Sequence, residues 1–466
     1  MNAFNPKQSK IFIGLYIFFI FGAAMGDWKV VNNALGALPK IISAGALGLA
    51  AVYILWSGNF KNFKCLSRFG IMFSSIIIGI IFCSILIWVL DLQSIGFILK
   101  GVSKISYQLL NIAILLSAVY LFEENAAKYT FFGIAAANFV IIALGTATTG
   151  IGGAIRDMIA NITSFGANDV IENSTFIRAI EIHDITFVMG VYVMYFLFFC
   201  PGEKYRYLYA GVALFLFAAG LKRIAFLSML VAIVFTLFCL FLGPKGQIRV
   251  LLITAFLIVA FCYYYIVIIE KGIFTRFCIE HGIELNGRDK IYDYISNFYT
   301  VSPSYRGKGY EFCVQLLKSM RGTKDQVVNI NAVHNDILKM YVEMGFFGFA
   351  LWIMGYYVYQ THWFISRCGE KVAVCFMAIN VYMLVTYLTD NTMFYYWSSM
   401  VIRMLPMSYF FSPIREVPLR TTNLLQMNRL DRWRYNKHIR DQKRKRKPRM
   451  RVEANQNDFT EGTRNL

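Results

Sequence analysis

Long apolar runs with almost no charge decide what this chain can become. Twelve segments read as membrane spans: 11–26, 41–56, 71–91, 106–122, 130–148, 184–200, 207–221, 224–242, 250–269, 337–359, 372–389 and 393–411. About 20 helical residues cross about 30 Å of hydrocarbon, and inside a helix every backbone polar group finds a partner. A transmembrane barrel would show ~10-residue segments of alternating polarity, and the sequence has none. Only 16% of the residues are charged, well below the roughly one quarter of a soluble domain. The expected fold class is therefore all-α: a polytopic membrane protein of about 12 transmembrane helices. The run at 11–26 follows Lys7 and Lys10, as a signal peptide would, but lacks a small-residue cleavage site and reads as an uncleaved first span.

Charge sets the orientation. The loops at 57–70, 123–129, 201–206, 243–249 and 360–371 and the two ends carry Lys7, Lys10, Lys61, Lys64, Arg68, Lys204, Arg206, Lys245, Arg249, Arg367, Lys371 and the basic tail. The positive-inside bias puts them in the cytoplasm, and an even span count puts both termini there, in an inner-type membrane. Residues 412–466 hold 15 Lys/Arg against 6 Asp/Glu, about half of the net +19. Beside a membrane span this block reads as a cytoplasmic anchor near anionic lipid headgroups, not as a nucleic-acid site. The domain organisation expected is nine spans in 1–269 with an outer segment at 149–183, one large periplasmic or extracellular loop at 270–336, three spans in 337–411, and the basic tail at 412–466.

The nine cysteines are scattered, with no CxxC and no Cys/His cluster at metal-ligand spacing, so neither metal nor cofactor is expected. Cys278 and Cys313 share the large outer loop, where an oxidising space would allow a disulfide between them. Pumps and ion-coupled transporters place ionisable groups at mid-membrane. Here the clearest such group is Arg403, near Pro406: it either pairs inside the bundle or meets water where the proline breaks the helix.

Polar groups gather instead on the outer turns: Lys222-Arg223, Gly287-Arg288-Asp289, Tyr305-Arg-Gly-Lys-Gly-Tyr310, His334-Asn335-Asp336 and Asp390-Asn391. Two cations on an outer turn run against the positive-inside bias, which favours function over interfacial snorkelling for Lys222 and Arg223. Arg288 alone reads equally as a loop ion pair. Gly307 and Gly309 allow a tight turn and close ligand approach. Helical spacing puts His334 on one face with Ile337, Leu338 and Tyr341.

The segment His334-Asn-Asp-Ile-Leu-Lys-Met-Tyr-Val-Glu-Met-Gly-Phe-Phe-Gly348 resembles the His-Asn…Leu…Glu-x-Gly-x-x-Gly signature of bacterial O-antigen ligases and polysaccharide polymerases. Gly220-Leu-Lys-Arg223 is similar to the family's Ser-Arg turn, with Lys222 in place of Ser. Gly287-Arg288 resembles its Gly-Arg, Gly307-Lys-Gly309 its Gly-x-Gly, and Asp390-Asn391 its following polar turn. The resemblance covers roughly 150–412. It implies a glycosyltransferase C-like membrane fold with one large outer loop. It also implies metal-independent glycosyl transfer from an undecaprenyl-diphosphate-linked oligosaccharide outside the cytoplasm.

On this reading Arg223 and Arg288 meet the diphosphate, since arginine stays charged and binds phosphate oxygens bidentately. Lys222 and Arg306 are further diphosphate candidates. His334 either activates the acceptor hydroxyl as general base or hydrogen-bonds sugar or phosphate. Asn335 and Asp336 orient the acceptor, and Glu343 orients a neighbour. The reading favours a polymerase of lipid-linked repeat units, with a ligase that moves finished glycan to lipid A core or protein as the alternative. A flippase would place its cations in a mid-bundle cavity, and a scaffold would not need cations on outer turns. Membrane lipids, a chain-length regulator and a flippase are the expected partners.

Overall fold

The computed structural model describes residues 6–7, 9–36, 38–58, 60, 62–163, 174–180, 182–220, 222–282, 285, 287–319 and 332–412. Among them every regular element is helical and no strand occurs. The basic tail beyond Ser412 and parts of both long outer segments lie outside the described residues.

The N-terminal part runs through α1 (Lys10–Met25), α2 (Lys29–Leu35), α3 (Leu38–Ile42), α4 (Gly45–Ser57), α5 (Phe63–Leu90), α6 (Ile95–Phe122), α7 (Ala126–Thr149), α8 (Ile151–Thr163) and α9 (Thr175–Ile180). It continues with α10 (His183–Phe198), α11 (Arg206–Gly220), α12 (Arg223–Phe241) and α13 (Pro244–Glu270). Three short helices follow, α14 (Ile273–Glu280), α15 (Arg288–Ser296) and α16 (Phe312–Ser319). The C-terminal group is α17 (Asp336–Ile353), a π-helical turn Met354–Tyr359, α18 (Gln360–Arg367), α19 (Glu370–Tyr387) and α20 (Tyr396–Phe411).

Each of the twelve expected spans falls on one of these helices, but the count of twelve is not confirmed. Among the described residues seven helical runs are long and apolar enough to cross a membrane, or up to eight if the bent pair α1–α2 is one span. The shortfall has physical causes. The chain turns by 87° between α1 and α2. Helices α6 and α7 form a single 55-residue run, interrupted at Glu123, where φ is +48°. Helices α10 and α11 have only 16 and 15 residues, about 24 Å at 1.5 Å per residue.

The centre is built from α10, α19 and α20, whose residues are nearly all buried, and from α17, which is buried over Asp336–Gly345 and turns Phe347 and Leu351 outward. Helix α10 packs on α11 and α20, α12 on α19, and α5 on α6 and α17. Glycine permits the closest of these approaches: a Cβ on Gly190 would lie 2.4 Å from the Tyr382 hydroxyl. The outward faces keep large apolar side chains, such as Leu55, Phe82 and Phe241, exposed. A bundle whose solvent is lipid needs that distribution.

Loops assigned to one side of the membrane meet at one end of the bundle. Lys7 pairs with Glu123 and with Glu124 at 3.2 Å, Asn62 donates to Glu123 at 2.9 Å, and Lys128 pairs with Glu203 at 2.7 Å. At the other end Asp27 pairs with Lys40 at 2.8 Å and accepts from the Trp397 indole at 2.6 Å. Asp184 accepts from the Trp397 and Ser398 N–H groups at 2.8 and 2.9 Å, capping α20. A carboxylate there satisfies orphan donors and the positive end of the helix dipole.

Arg403 resolves as an internal partner. Helix α20 continues through Pro406, and Arg403 Nη1 donates to the Ser399 carbonyl at 2.6 Å. Gln108, Tyr356 and Gln360 line a small cavity with it.

Candidate active site

The polar cluster at the Asp27 and Asp184 end centres on the start of α17. Asn335 is the N-cap: its side-chain oxygen accepts from the Leu338 N–H at 2.9 Å. Asparagine is among the best residues for this position. Its amide nitrogen donates to the Tyr265 hydroxyl at 3.0 Å and reaches the Tyr292 hydroxyl at 3.5 Å. His334 therefore precedes the helix, with φ +50°. The helical face shared with Ile337, Leu338 and Tyr341 does not apply to it, because a helical wheel holds only inside a helix.

The turn after α19 clamps His334. Its backbone N–H donates to Asn391 Oδ1 at 3.1 Å. That bond turns the Asn391 amide nitrogen toward His334 Nδ1, at 3.3 Å, and Asp390 Oδ1 lies 3.5 Å from the same Nδ1. Asp336 Oδ2 accepts from the Met393 N–H at 2.8 Å, tying the same turn to α17 once more. The His334 side chain keeps 29% of its surface exposed. Burial raises the Asp390 carboxyl, but the His334 hydrogen bond and the nearby His183 and His334 charges outweigh it and hold the group at about 2.

Arg288 opens α15, entered through Gly287 at φ +77°. Four residues on, Tyr292 is buried against the cluster, and its hydroxyl lies 3.5 Å from the His334 carbonyl oxygen. Burial pushes that hydroxyl above its usual pKa, while the Asn335 hydrogen bond and the Arg288 charge pull the other way. Lys222 and Arg223 occupy the N-cap and first position of α12. Gly220, just before them, presses on α10: a Cβ there would lie 1.9 Å from Thr186 Oγ1, one turn from His183. The Lys222–Arg223 turn thus stands at the same end of the bundle, with Lys222 half-buried and Arg223 exposed.

Arg306 and Glu343 belong to a second locus. Gly345 adopts φ +70°, ψ −177° inside α17 and breaks its hydrogen-bond ladder. The loop Tyr305–Gly309 fills the break: Lys308 and Gly309 N–H donate to the Val342 and Glu343 carbonyls at 3.1 and 2.8 Å, and Phe346 N–H donates to Tyr305 at 2.9 Å. Gly307 and Gly309 serve this packing, not close ligand approach. A Cβ on Gly307 would sit 2.5 Å from the Gly345 nitrogen, and one on Gly309 2.2 Å from Trp88 Nε1. Arg306 abuts Gly345 by its carbonyl, about 14 Å along α17 from Asp336, with its side chain exposed. Glu343 is buried and accepts from the Cys313 N–H at 3.2 Å. Lys339 lies between, 3.7 Å from Glu311 and over the Tyr310 and Phe394 rings at 5.1 and 5.0 Å.

Cys278 and Cys313 are free thiols, against the disulfide expected. Cys313, on α16, sits at the Glu343 locus, and Cys278, on α14, lies beside Tyr292. Sequence reasoning missed Tyr265, Tyr292 and His183. The spacing of Arg288 and Tyr292, four apart on a helix, was the available signal.

The fold and site together define a multi-pass membrane protein with a cationic and histidine-bearing cluster at one end of its bundle. Residues 187–353 match the family model described as O-antigen ligase, and that segment is similar to the O-antigen ligase/polymerase superfamily. Enzymes of that family transfer glycosyl groups. The matched segment contains Arg223, Arg288 and His334 and ends with α17. No curated protein matches the chain.

Proposed function

We propose that the protein is a polymerase that joins undecaprenyl-diphosphate-linked oligosaccharide repeat units at the outer face of the bacterial cytoplasmic membrane. The observation that carries this reading is the His334 clamp. Its Nδ1 is engaged by Asp390 and Asn391, which leaves Nε2 for substrate. The acceptor hydroxyl oxygen attacks the anomeric carbon of the donor sugar, and Nε2 takes the hydroxyl proton. The bond from that carbon to the phosphate oxygen breaks, and undecaprenyl diphosphate leaves with the bonding pair. Asp390 stabilises the imidazolium that results.

Arg288 and Arg223 meet the growing charge on the diphosphate, the kind of electrostatic stabilisation that is often the largest catalytic contribution. The N-termini of α10, α12, α15 and α17 open at this end, and their dipoles add positive potential. Lys222 supplements Arg223, and Asn335 and Asp336 hold the acceptor side in place. The same chemistry serves a ligase, and the matched family does not distinguish the two. A glycan profile of cells lacking the gene separates the two. Loss of the long ladder, with single repeat units at the surface, identifies a polymerase. Long chains stranded on the lipid carrier identify a ligase and overturn the polymerase reading.

A further inference from the structure

Behind Tyr292 lies a cavity of about 500 Å³ between the end of α13, α14 and α15, within the roughly 300–1,000 Å³ of small-molecule sites. Helix α15 separates two chemistries by its own periodicity. Arg288 and Tyr292, four apart, face the His334 cluster, while Asp289, Asp293 and Ser296 line the cavity. Across from them stand Lys271 and Arg276, with Glu270 and Lys290 completing the wall. Two contacts fix the rim: Glu270 accepts from the Val301 N–H at 2.7 Å, and Arg276 donates to the Lys271 carbonyl at 3.2 Å.

Three cations and three carboxylates thus share one cavity, and among the described residues these cations form no ion pair with these carboxylates. Charged groups of both signs that are not ion-paired to one another, set around a space, suit a ligand that donates and accepts at many points. A sugar hydroxyl does both. The formal charge of the wall is zero, which gives a diphosphate no advantage there.

We infer that this cavity binds a neutral oligosaccharide and holds the acceptor glycan beside the His334 site, an inference that rests on the glycosyl-transfer reading above. Tyr292 is the shared wall. It lines the cavity and reaches Asn335, so a glycan seated against Asp289 and Asp293 extends its end toward His334.

The test uses full-length protein in lipid nanodiscs and, as probe, the host's own surface polysaccharide released by mild acid and freed of lipid. Wild type should bind it, and the double variant Asp289→Asn/Asp293→Asn should bind at least about tenfold more weakly, with undecaprenyl diphosphate binding unchanged. Arg276→Ala, at an exposed position, should weaken glycan binding as well, and it keeps the test sound should the double variant fail to fold. No binding by wild type, or undiminished binding by the variants, overturns the inference. Glycan binding by a protein that transfers no sugar overturns the transfer reading and leaves this site standing. Transfer with an unchanged acceptor KM in the variants overturns the site and leaves the transfer reading standing.

Discussion

His334 stands between two groups with opposite demands on one nitrogen. The Asn391 amide donates to a bare Nδ1, and Asp390 accepts from a protonated one, so both states of the ring have a partner. The carboxyl of Asp390 lies at about 2, below its ordinary 3.8. A carboxylate depressed in this way contributes stability above its ordinary value and loses it only as pH falls through about 2. Asp390 is therefore ionised wherever the protein works. His334→Ala should cost roughly 10²–10⁴-fold in transfer rate. Asp390→Asn should cost less and move the acid limb of the pH–rate profile to lower pH, because the imidazolium formed in the reaction loses its counter-charge. A pH–rate profile checks this, and an unmoved limb would detach Asp390 from His334. Arg288→Lys should lose most of the activity if the guanidinium binds phosphate bidentately.

At the scale of elements, α17 is two helical pieces joined at Gly345. Substituting Gly345 by Ala forces a side chain into φ +70° and a Cβ to 2.2 Å from the Arg306 carbonyl carbon. The expected cost is about 1–3 kcal/mol or more, read as a lowered melting temperature in nanodiscs. Glu311 is 5% exposed and pairs with both Lys104 and the buried Lys339. Glu311→Gln should destabilise by roughly 1–3 kcal/mol, because Lys339 loses one carboxylate but keeps Glu343 and the two rings. Lys104, half exposed, should cost roughly 0–1 kcal/mol when replaced by Ala. Much of this region was legible, because the apolar runs predicted the long helices. The break at Gly345 was not legible, since an isolated glycine in a helical pattern is usually tolerated. The partner that fills it comes from a loop some forty residues earlier. Asn335 as an N-cap was the overlooked sign that His334 lies outside the helix.

Across the whole molecule, sequence polarity located the cluster at one end because alternation of spans leaves few other arrangements. It could not supply Tyr265, Tyr292 or His183, whose roles depend on how α10, α13 and α15 pack. The separation of Cys278 from Cys313 was hidden for the same reason. Thiol labelling under non-reducing, denaturing conditions should modify both, and protection of the pair would contradict the fold around Gly345 and Tyr292. The most direct test of the central claim gives purified protein undecaprenyl-diphosphate-linked repeat units and follows the products by electrophoresis. The account predicts a ladder of lengthened lipid-linked chains with wild type and single units with His334→Ala. A ladder of equal length and rate from the variant would contradict it.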